Sequence, residues 1–400
     1  MRPNPPIDRP ALPAVAGAAT SLRKSWRPAL ACFLLIAAGW VHAQPIHELP
    51  RPADRVPLAV KGLVLDIVRT PQNWVAVGER GHVLLSNDGV NWTQAQFVPA
   101  QATLTRVTYV DERLWAVGHD STILHSYDNG ETWALQHFKP DWEKPLLDVH
   151  FFDRSNGIAI GAFGLFMRTR DGGRNWEELD MADMVVSEAI DWEAAAEAAQ
   201  AMDAFEDDDW RDEDWDDDEF GADGDWLDDE WDDDDSFGFD QGCYQFMECH
   251  LNAFVDLGNG RQMIAAERGF GFRTEDGGET WESFMFPYQG SMFGLLASDT
   301  AGQGERIVAF GLRGFVQVSD NFGDDWELLD FGLRSTLKGG VQFDDAHMLL
   351  VGSGSTRLML DISAGTADVS EDRLGPDFVA VALGPDGMII LGGADGLSHE

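Results

Sequence analysis

The sequence predicts an all-β fold, a seven-bladed β-propeller of four-stranded antiparallel blades with an acidic insertion between blades 3 and 4. Two periodic marks carry this prediction. A turn-like string that ends in Trp occurs five times, and an apolar strand that ends in a Gly-rich turn occurs seven times. The strand ends lie near positions 78, 118, 161, 266, 311, 352 and 392, and five of the six intervals span 40 to 45 residues. Repeats of this length, built from short strands and turns, are typical of propeller blades.

The first mark, exemplified by SYDNGETW at 126–133 and TEDGGETW at 274–281, predicts a tight hairpin turn. An Asp side chain accepts hydrogen bonds from the backbone amides ahead of it, a Gly adopts positive φ, and the Trp packs beneath the turn. We therefore predict a structural role for Asp128, Gly130, Trp133, Asp171, Gly173, Trp176, Asp276, Gly278, Trp281, Trp92 and Trp326. The strings at 85–92 and 319–326 depart from the pattern, which predicts looser turns there.

The second mark divides each unit into strands. In the third unit these are LLDVHFF, GIAIG, LFMRTR and NWEELDM, whose apolar content and alternation favour strands. The seventh unit reaches Glu400 with three strands, and the segment between Ile46 and Leu58 is expected to supply the fourth and close the ring. The predicted domains are thus blades 1–3 with the closing strand at 44–181, and blades 4–7 at 246–400.

The first 43 residues read as a secretory signal peptide. Arg23, Lys24 and Arg27 precede an apolar run at 29–40, and the residues up to Ala43 resemble a small-x-small cleavage site. The run is short for a membrane span. We expect cleavage after Ala43 and a periplasmic or secreted mature chain without direct membrane insertion; an uncleaved anchor is the alternative.

Charge and cysteine content narrow the partners and the compartment. Without residues 1–43 the chain has 23 Lys and Arg against 69 Asp and Glu, a net charge of −46. Nucleic acid and anionic membranes are therefore poor partners. Cys243 and Cys249 remain, and two cysteines this close in sequence are easily bridged in an oxidising compartment. We predict a disulfide between them; a pair of free thiols is the alternative.

The insertion occupies residues 182–245 and has two parts. Its Ala- and Glu-rich beginning predicts a helix. Between 203 and 240, 22 acidic residues face a single basic one, with Trp or Phe every five or six residues, which predicts disorder. A spacing that begins at Asp216 resembles an EF-hand loop, but Phe220 and Leu227 stand where oxygen ligands are required. No metal and no other cofactor is predicted.

The Trp-terminated string is similar to the Asp-box of sialidases and related propellers, which raises the question of an enzyme. Sialidases combine an arginine triad with a Tyr nucleophile paired to a Glu and with an Asp acid. The Tyr, Glu and Asp supply the charge that an oxocarbenium-like transition state needs on both faces of the sugar. The four tyrosines, Tyr109, Tyr127, Tyr244 and Tyr288, are scattered, and no arginine motif lies near the N-terminus. H-x-x-x-H, HExxH and G-x-S-x-G strings are also lacking. We predict no enzyme; a glycan-binding or glycoside-hydrolysing propeller is the alternative, and a Ser-His-Asp set drawn from distant segments remains open.

The blade pattern LLDVHFFD…GIAIGAFG…RTRDGGRNW resembles the photosystem II assembly/stability factor family of seven-bladed propellers over residues 46–400 outside the insertion. In oxygenic organisms its members are lumenal, non-enzymatic chaperones that hold a membrane subunit during assembly. Secreted bacterial propellers of this kind are placed beside inner-membrane exporters. The resemblance implies a protein partner, either a membrane protein or an exporter component, and a link to photosynthesis. A monomer is expected.

Three second-strand turns carry Arg at the same place, namely Arg80, Arg268 and Arg313. In a propeller these turns share one face with the connections between blades, opposite the Trp-terminated turns. We predict that the three arginines bind the partner, since the family that the chain resembles uses an arginine-lined patch. The alternative is that each Arg caps its own turn or pairs with Glu79 or Glu267. The insertion is expected to emerge on the same face and to screen the arginines electrostatically.

Overall fold

The apolar runs of the repeat form the strands of seven sheets that follow one another along the chain. The computed structural model describes residues 49–186, 249–300 and 304–400. The predicted seven-bladed propeller is confirmed, and the gap at 187–248 falls between blades 3 and 4, where the insertion was expected. The predicted signal peptide and its cleavage site lie outside the described residues.

The strands alternate along the chain with short turns. In chain order they are β1 Val64–Arg69, β2 Trp74–Gly78, β3 Val83–Ser86 and β4 Thr93–Gln94 in blade 1; β5 Leu104–Val110, β6 Arg113–Gly118, β7 Thr122–Ser126 and β8 Ala134–His137 in blade 2; β9 Leu146–Phe151, β10 Gly157–Gly161, β11 Phe166–Thr169 and β12 Glu177–Leu179 in blade 3; β13 Leu251–Gly258, β14 Arg261–Ala266, β15 Phe270–Thr274 and β16 Glu282–Met285 in blade 4; β17 Met292–Thr300, β18 Gly304–Gly311, β19 Val316–Ser319 and β20 Glu327–Leu329 in blade 5; β21 Leu337–Gln342, β22 His347–Gly352, β23 Arg357–Asp361 and β24 Thr366–Ser370 in blade 6; and β25 Phe378–Leu383, β26 Ile389–Gly393 and β27 Gly396–His399 in blade 7.

The second strand of a blade lies between two neighbouring blades, so both of its faces need apolar side chains. Strands β2 and β10 are accordingly buried at every residue. The Gly that ends most second strands has a steric cause. A Cβ at Gly78 would lie 1.9 Å from the Leu63 carbonyl oxygen, and one at Gly393 would lie 1.9 Å from that of Asp377. The first strand bulges beside this contact, as between Val64 and Asp66.

The hydrophobic core is divided among the interfaces between blades. The Trp after each repeated turn packs onto the preceding blade: Trp133 joins the cluster of blade 1, and the ring of Trp281 lies 6.0 Å from that of Phe166 in blade 3. Burying large aromatic side chains in this way stabilises the contact between neighbouring blades.

Blade 7 departs from the prediction, because it has three strands in the described part of the chain. Residues 49–58 form no strand, so the expected closing strand is wrong there; Ile46 to Glu48 lie outside the described residues. The segment lies on blade 1 instead, where the Ala53 amide donates to the Val98 carbonyl oxygen at 2.9 Å and the Val56 amide donates to Gln94 Oε1 at 3.0 Å. The Ala53 and Val56 amides are thus engaged with blade 1 and not with blade 7.

Helix is sparse among the described residues. A single α-helical turn, α1 Met181–Met184, follows β12, and the Asp180 side chain caps it by accepting a bond from the Ala182 amide. The other helical segments are short 3-10 turns. None of the helices in this part of the chain has the length and apolarity to cross a membrane.

Candidate functional site

The three arginines predicted to bind a partner occupy equivalent turns between the second and third strands of blades 1, 4 and 5. All three are exposed. Arg80, Arg268 and Arg313 have φ values of 54°, 57° and 56°, in the left-handed region. That conformation costs residues other than Gly, Asn and Asp about 1 kcal/mol or more. The unfavourable backbone conformation at these three positions makes their side chains the feature of interest.

These turns pack against the connections that lead into the next blade. A Cβ at Gly81, beside Arg80, would lie 1.9 Å from the Ala100 carbonyl oxygen, and one at Gly314, beside Arg313, would lie 3.2 Å from that of Ser335. The second-strand turns and the inter-blade connections therefore lie together on one face of the propeller. We call this surface the connector face.

The three predicted arginines are not all neighbours around the connector face. In blades 1 to 6 the same left-handed turn position carries Arg80, Asp120, Phe163, Arg268, Arg313 and Gly354, and the shorter turn of blade 7 carries Asp395. Arg268 and Arg313 stand on adjacent blades, with Phe163 on the blade before them. Arg80 stands between the acidic positions of blades 2 and 7. The contiguous arc is therefore Phe163, Arg268 and Arg313, which we call the blade 3–5 arc.

Sequence reasoning missed Phe163, although its position in the repeat marks it. The side chain is 50% exposed, and its φ of 54° is unusual for a bulky residue. Its ring meets that of His250 edge-on, with centroids 4.9 Å apart. Glu267, considered as a partner for Arg268, also contacts His250: its Oε1 accepts a hydrogen bond from the His250 amide at 3.1 Å.

The two ends of the insertion attach to different parts of the propeller. At the return end, the Gly164 amide donates to the Cys249 carbonyl oxygen at 2.8 Å, beside Phe163 and on the connector face, as expected. At the exit, the Trp281 amide donates to the Met184 carbonyl oxygen at 3.0 Å, so the start lies against the repeated turn of blade 4. We expected this end to lie on the connector face as well, and that expectation is wrong. The outer edge of blade 3 reaches Trp281 of blade 4 instead.

Cys249 is buried and disulfide-bonded. Cys243 lies outside the described residues, so its pairing with Cys249 stays a prediction. The helix, the disorder and the EF-hand-like spacing predicted for the insertion fall outside the described residues as well.

The repeated turns use their own polar groups. In blade 2 the Gly130 amide donates to Ser126 Oγ at 3.0 Å, the Thr132 amide and hydroxyl both donate to Asp128, and Trp133 Nε1 donates to the Gly130 carbonyl oxygen at 2.9 Å. In blade 3 the Asn175 amide and side chain donate to Asp171, and the Gly173 amide donates to Thr169 Oγ1.

The turn of blade 4 shows the electrostatic result of the same arrangement. Its glycine, Gly278, has a φ of 85°. Slight burial acts to raise the pKa of Asp276, but the hydrogen bonds from Thr280, Thr274 and the Glu279 amide together lower this pKa to about 2. The carboxylate is thus committed to its own turn.

The two divergent turns are as fully bonded as the others, so the expectation of looser turns is wrong. In blade 1 the turn is one residue shorter, and its backbone amides donate to the side chains of Ser86 and Asp88. The Gly89 amide, for example, donates to Ser86 Oγ at 2.8 Å. In blade 5 the Asp325 amide donates to Asn321 Oδ1 at 3.0 Å. The Trp side chains differ in burial: Trp133 and Trp281 are buried, whereas Trp92, Trp176 and Trp326 are half-buried.

A charged cluster on the innermost strands also escaped sequence reasoning. Arg106 Nε lies 2.9 Å from Asp148 Oδ1 and 3.8 Å from Asp66 Oδ2. Asp66 accepts a bond from the Val107 amide, and Asp148 accepts one from the Phe254 amide. Burial raises the pKa of Asp66 in spite of the nearby guanidinium. The cluster joins the inner strands of blades 1 to 4, which is a structural role.

The candidate metal ligands and the tyrosines considered for an enzyme are dispersed over the described residues. No group of three or more His, Cys, Asp or Glu side chains among them is placed to hold a metal ion. Tyr109 lies in β5, Tyr127 in the repeated turn of blade 2, and Tyr288 against Phe315 with ring centroids 4.4 Å apart. Tyr244 lies outside the described residues.

Comparison with solved structures places the chain among β-propellers. It is similar to YCF48 bound to D1 peptide, with 16% identity, a TM-score of 0.57 and coverage of 89% of this chain and 98% of that one. YCF48 from Cyanidioschyzon merolae has 17% identity, a TM-score of 0.55 and coverage of 86% and 96%. The WD40 propeller of Doa1 has 13% identity, a TM-score of 0.55 and coverage of 88% and 95%. At these identities the likeness shows the fold. No protein-family model matches the sequence, and no curated protein shows significant similarity to it.

Proposed function

We propose that this chain is a protein-binding propeller without chemistry of its own, which holds its partner on the connector face. One observation carries the proposal: Arg80, Arg268 and Arg313 are exposed at equivalent turns in a backbone conformation that disfavours side chains. Arg and aromatic side chains are enriched where proteins recognise one another, because they combine a large contact area with directional polar groups. Phe163 adds the aromatic component.

The fold and the repeat pattern support a partner of a particular kind. YCF48, which shares the fold, has been solved with a D1 peptide bound. Together with the resemblance of the blade pattern to the photosystem II assembly/stability factor family, this favours a role in the assembly or operation of a membrane protein complex or an exporter. The bound element is a peptide segment of that partner.

A location outside the cytoplasm fits the same role. The basic and then apolar residues before Ala43 favour export, and the disulfide-bonded Cys249 is compatible with an oxidising compartment. We propose that the mature protein begins after Ala43 and works as a periplasmic or secreted monomer.

Affinity capture tests the proposal. Mature protein is used as bait in membrane extracts, and bound proteins are quantified by mass spectrometry for the original chain and for a variant with Arg80, Arg268 and Arg313 all changed to Ala. The matched control changes Arg154, Arg170 and Arg174, which are exposed residues of blade 3 outside the connector face. A specific partner should be lost at least about tenfold with the first variant and retained with the second. Equal recovery with both would contradict a site at these arginines.

A glycan-processing function is checked with the same protein. Fluorogenic sialosides and common glycosides should give no turnover above buffer. Turnover that a single Tyr or carboxylate substitution abolishes would overturn the non-enzymatic proposal.

A further inference from the structure

The first strand of every blade bulges at the same place, one residue after its start. Each of these seven strands contacts the first strands of both neighbouring blades, so together they ring the central channel. In each of them the pairing register shifts between the first and third residues. The bulged residues are Leu65, Thr105, Leu147, Asn252, Phe293, Lys338 and Val379. They lie at the connector-face end of the channel, because each first strand begins there, after the connection between blades.

The bulged residues form the mouth of the channel. The residue before each of them is buried, whereas the bulged residue itself is half-buried or, at Phe293, exposed. Three of the seven are polar and are bonded to the chain beside them. Thr105 and Asn252 each donate to the carbonyl oxygen of the first residue in the next blade's first strand, at 2.8 and 3.0 Å, and Lys338 donates to Asp377 at 2.7 Å. The other four are apolar and we call them the apolar rim: Leu65, Leu147, Phe293 and Val379.

Phe293 joins the apolar rim to the blade 3–5 arc. Its side chain is 37% exposed. The connection that leads into β17 lies between two arginine turns: the amide after Arg268 donates to the Gly290 carbonyl oxygen at 3.1 Å, and the amide before Arg313 donates to that of Ser291 at 3.1 Å. Phe293 follows two residues after Ser291. An exposed aromatic ring is thus flanked by the turns that carry two exposed arginines.

The charge and polarity of this place define the segment that fits it. Arginine binds carboxylates through paired, charge-assisted hydrogen bonds. An apolar side chain that enters the mouth leaves water and packs on the apolar rim. Because the chain as a whole carries a formal charge of −42, a segment with carboxylates is held best where arginines cluster. The same charge makes two copies of the chain repel one another, which disfavours a second copy as the occupant.

We propose that the apolar rim is a subsite for one bulky apolar side chain of an acidic partner segment. The apolar side chain packs on Phe293 at the mouth of the channel, and neighbouring carboxylates of the segment bind Arg268 and Arg313. The proposal rests on the proposed function, because the segment belongs to the partner held on the connector face. It adds the chemistry by which that segment is recognised.

A phage-displayed library of linear peptides, selected on the mature chain at low ionic strength, provides the probe. Enriched peptides should share one bulky apolar residue with Asp or Glu beside it. The affinity of a synthetic copy is measured by fluorescence anisotropy. Replacing its apolar residue by Ser, or its acidic residues by the corresponding amides, should each weaken binding at least about tenfold. Added salt should weaken the binding as well.

Phe293 and Phe152 provide a matched pair of variants, since both side chains are 37% exposed. Phe152 follows the far end of β9, where the next turn is bonded to the repeated turn of blade 3, so it lies at the opposite end of the channel. Phe293→Ser should weaken peptide binding at least about tenfold, and Phe152→Ser should leave it unchanged. Phe293→Leu keeps an apolar surface and should keep the binding. Urea unfolding checks that each variant is folded.

Photo-crosslinking identifies what occupies the mouth. A benzophenone amino acid in place of Phe293 should, on illumination, become joined to the added peptide, as located by mass spectrometry. Crosslinks that stay on residues 203–240 in excess peptide would overturn the proposal and assign the mouth to the chain's own acidic stretch. Crosslinks between two copies would overturn it in favour of a dimer.

Partner capture separates the failure of this proposal from that of the proposed function. A partner whose recovery depends on the connector-face arginines but not on Phe293 would overturn the subsite and keep the proposed function. Recovery that depends on neither would overturn both. A selection that enriches no apolar and acidic peptide would also overturn the subsite.

Discussion

At the scale of single residues, most polar side chains of the repeated turns form hydrogen bonds within their own turn, whereas a few other side chains act between blades. The Asp and Ser or Thr residues of the repeated turns bond within the turn, and this was predictable because their spacing recurs. Phe163 and Asp148 were not predicted from the sequence, although Phe163 stands at the turn position of the arginines and Asp148 at the strand position of Asp66. Their roles depend on neighbouring blades, which only the folded chain brings together.

His125 is expected to make stability depend on pH. Its side chain is 1% exposed, between Trp115 and Tyr127, with ring centroids 4.9 Å and 3.8 Å away, and Nε2 is buried without a hydrogen-bond partner. Burial, with a smaller contribution from Arg113, lowers its pKa from 6.5 to about 4. Because the unfolded state binds the proton more readily, stability is lost as pH falls from 6.5 towards 4, by at most about 3 kcal/mol.

Denaturant unfolding at several pH values measures this effect. His125→Phe should flatten the dependence over that range, whereas His399→Phe, at an exposed histidine, should not. An unchanged slope in His125→Phe would show that other groups cause the dependence.

The Trp residues should differ in their contribution to stability according to burial. Changing Trp133 or Trp281 to Ala removes a buried ring and should cost about 3–5 kcal/mol, whereas the half-buried Trp176 should cost less. The free energy of unfolding, from urea titration, provides the measurement. Losses below about 1 kcal/mol at both buried positions would show that these rings do not hold the blades together.

At the scale of elements, the strands of the blades were predictable and the way they close was not. Apolar runs and Gly-rich turns mark the second and third strands of each unit, because both lie between neighbouring blades. The fourth strand is only half covered and carries a weaker signal. The sequence pattern of the segment at 49–58 does not distinguish pairing with blade 7 from lying on blade 1. In the structure, hydrogen bonds of Ala53 and Val56 hold the segment on blade 1.

The inner strands are expected to depend on Asp148, whose two carboxylate oxygens join blade 3 to Arg106 of blade 2 and to the Phe254 amide of blade 4. Asp148→Ala leaves an amide and a guanidinium without their acceptor, so we expect a loss of about 2 kcal/mol in the free energy of unfolding. The estimate is moderate because the Arg106 side chain is 43% exposed. Asp345→Ala, at an exposed aspartate outside the cluster, should cost less than about 0.5 kcal/mol; equal losses would deny the cluster its structural role.

At the scale of the whole molecule, basic residues stand on the connector face although the chain as a whole is strongly acidic. The chain carries −42 overall, with 22 acidic residues between 203 and 240, and yet arginines stand at three of the seven equivalent turns of the connector face. Composition showed the acidic character, which makes nucleic acid a poor partner. The division into Arg80 and the blade 3–5 arc required the order of the blades.

The acidic stretch at 203–240 should weaken partner binding in a salt-dependent way. The return end of the insertion is bonded to Gly164, next to Phe163 in the blade 3–5 arc, so the chain that follows the acidic stretch returns to the face that carries Arg268 and Arg313. Opposite charges separated by more than about 8 Å interact little at physiological salt, and more strongly at low salt.

Deleting 203–240 should therefore raise the affinity for a partner recovered by membrane capture at low ionic strength, with the gain shrinking as salt is added. In the variant with the three connector-face arginines changed to Ala, the deletion should have no such effect. Titrations at two salt concentrations, by calorimetry or surface plasmon resonance, give the four affinities needed. Equal affinity with and without the stretch at low salt would rule out this competition, and a gain that persists in the arginine variant would place the acidic stretch at a different surface.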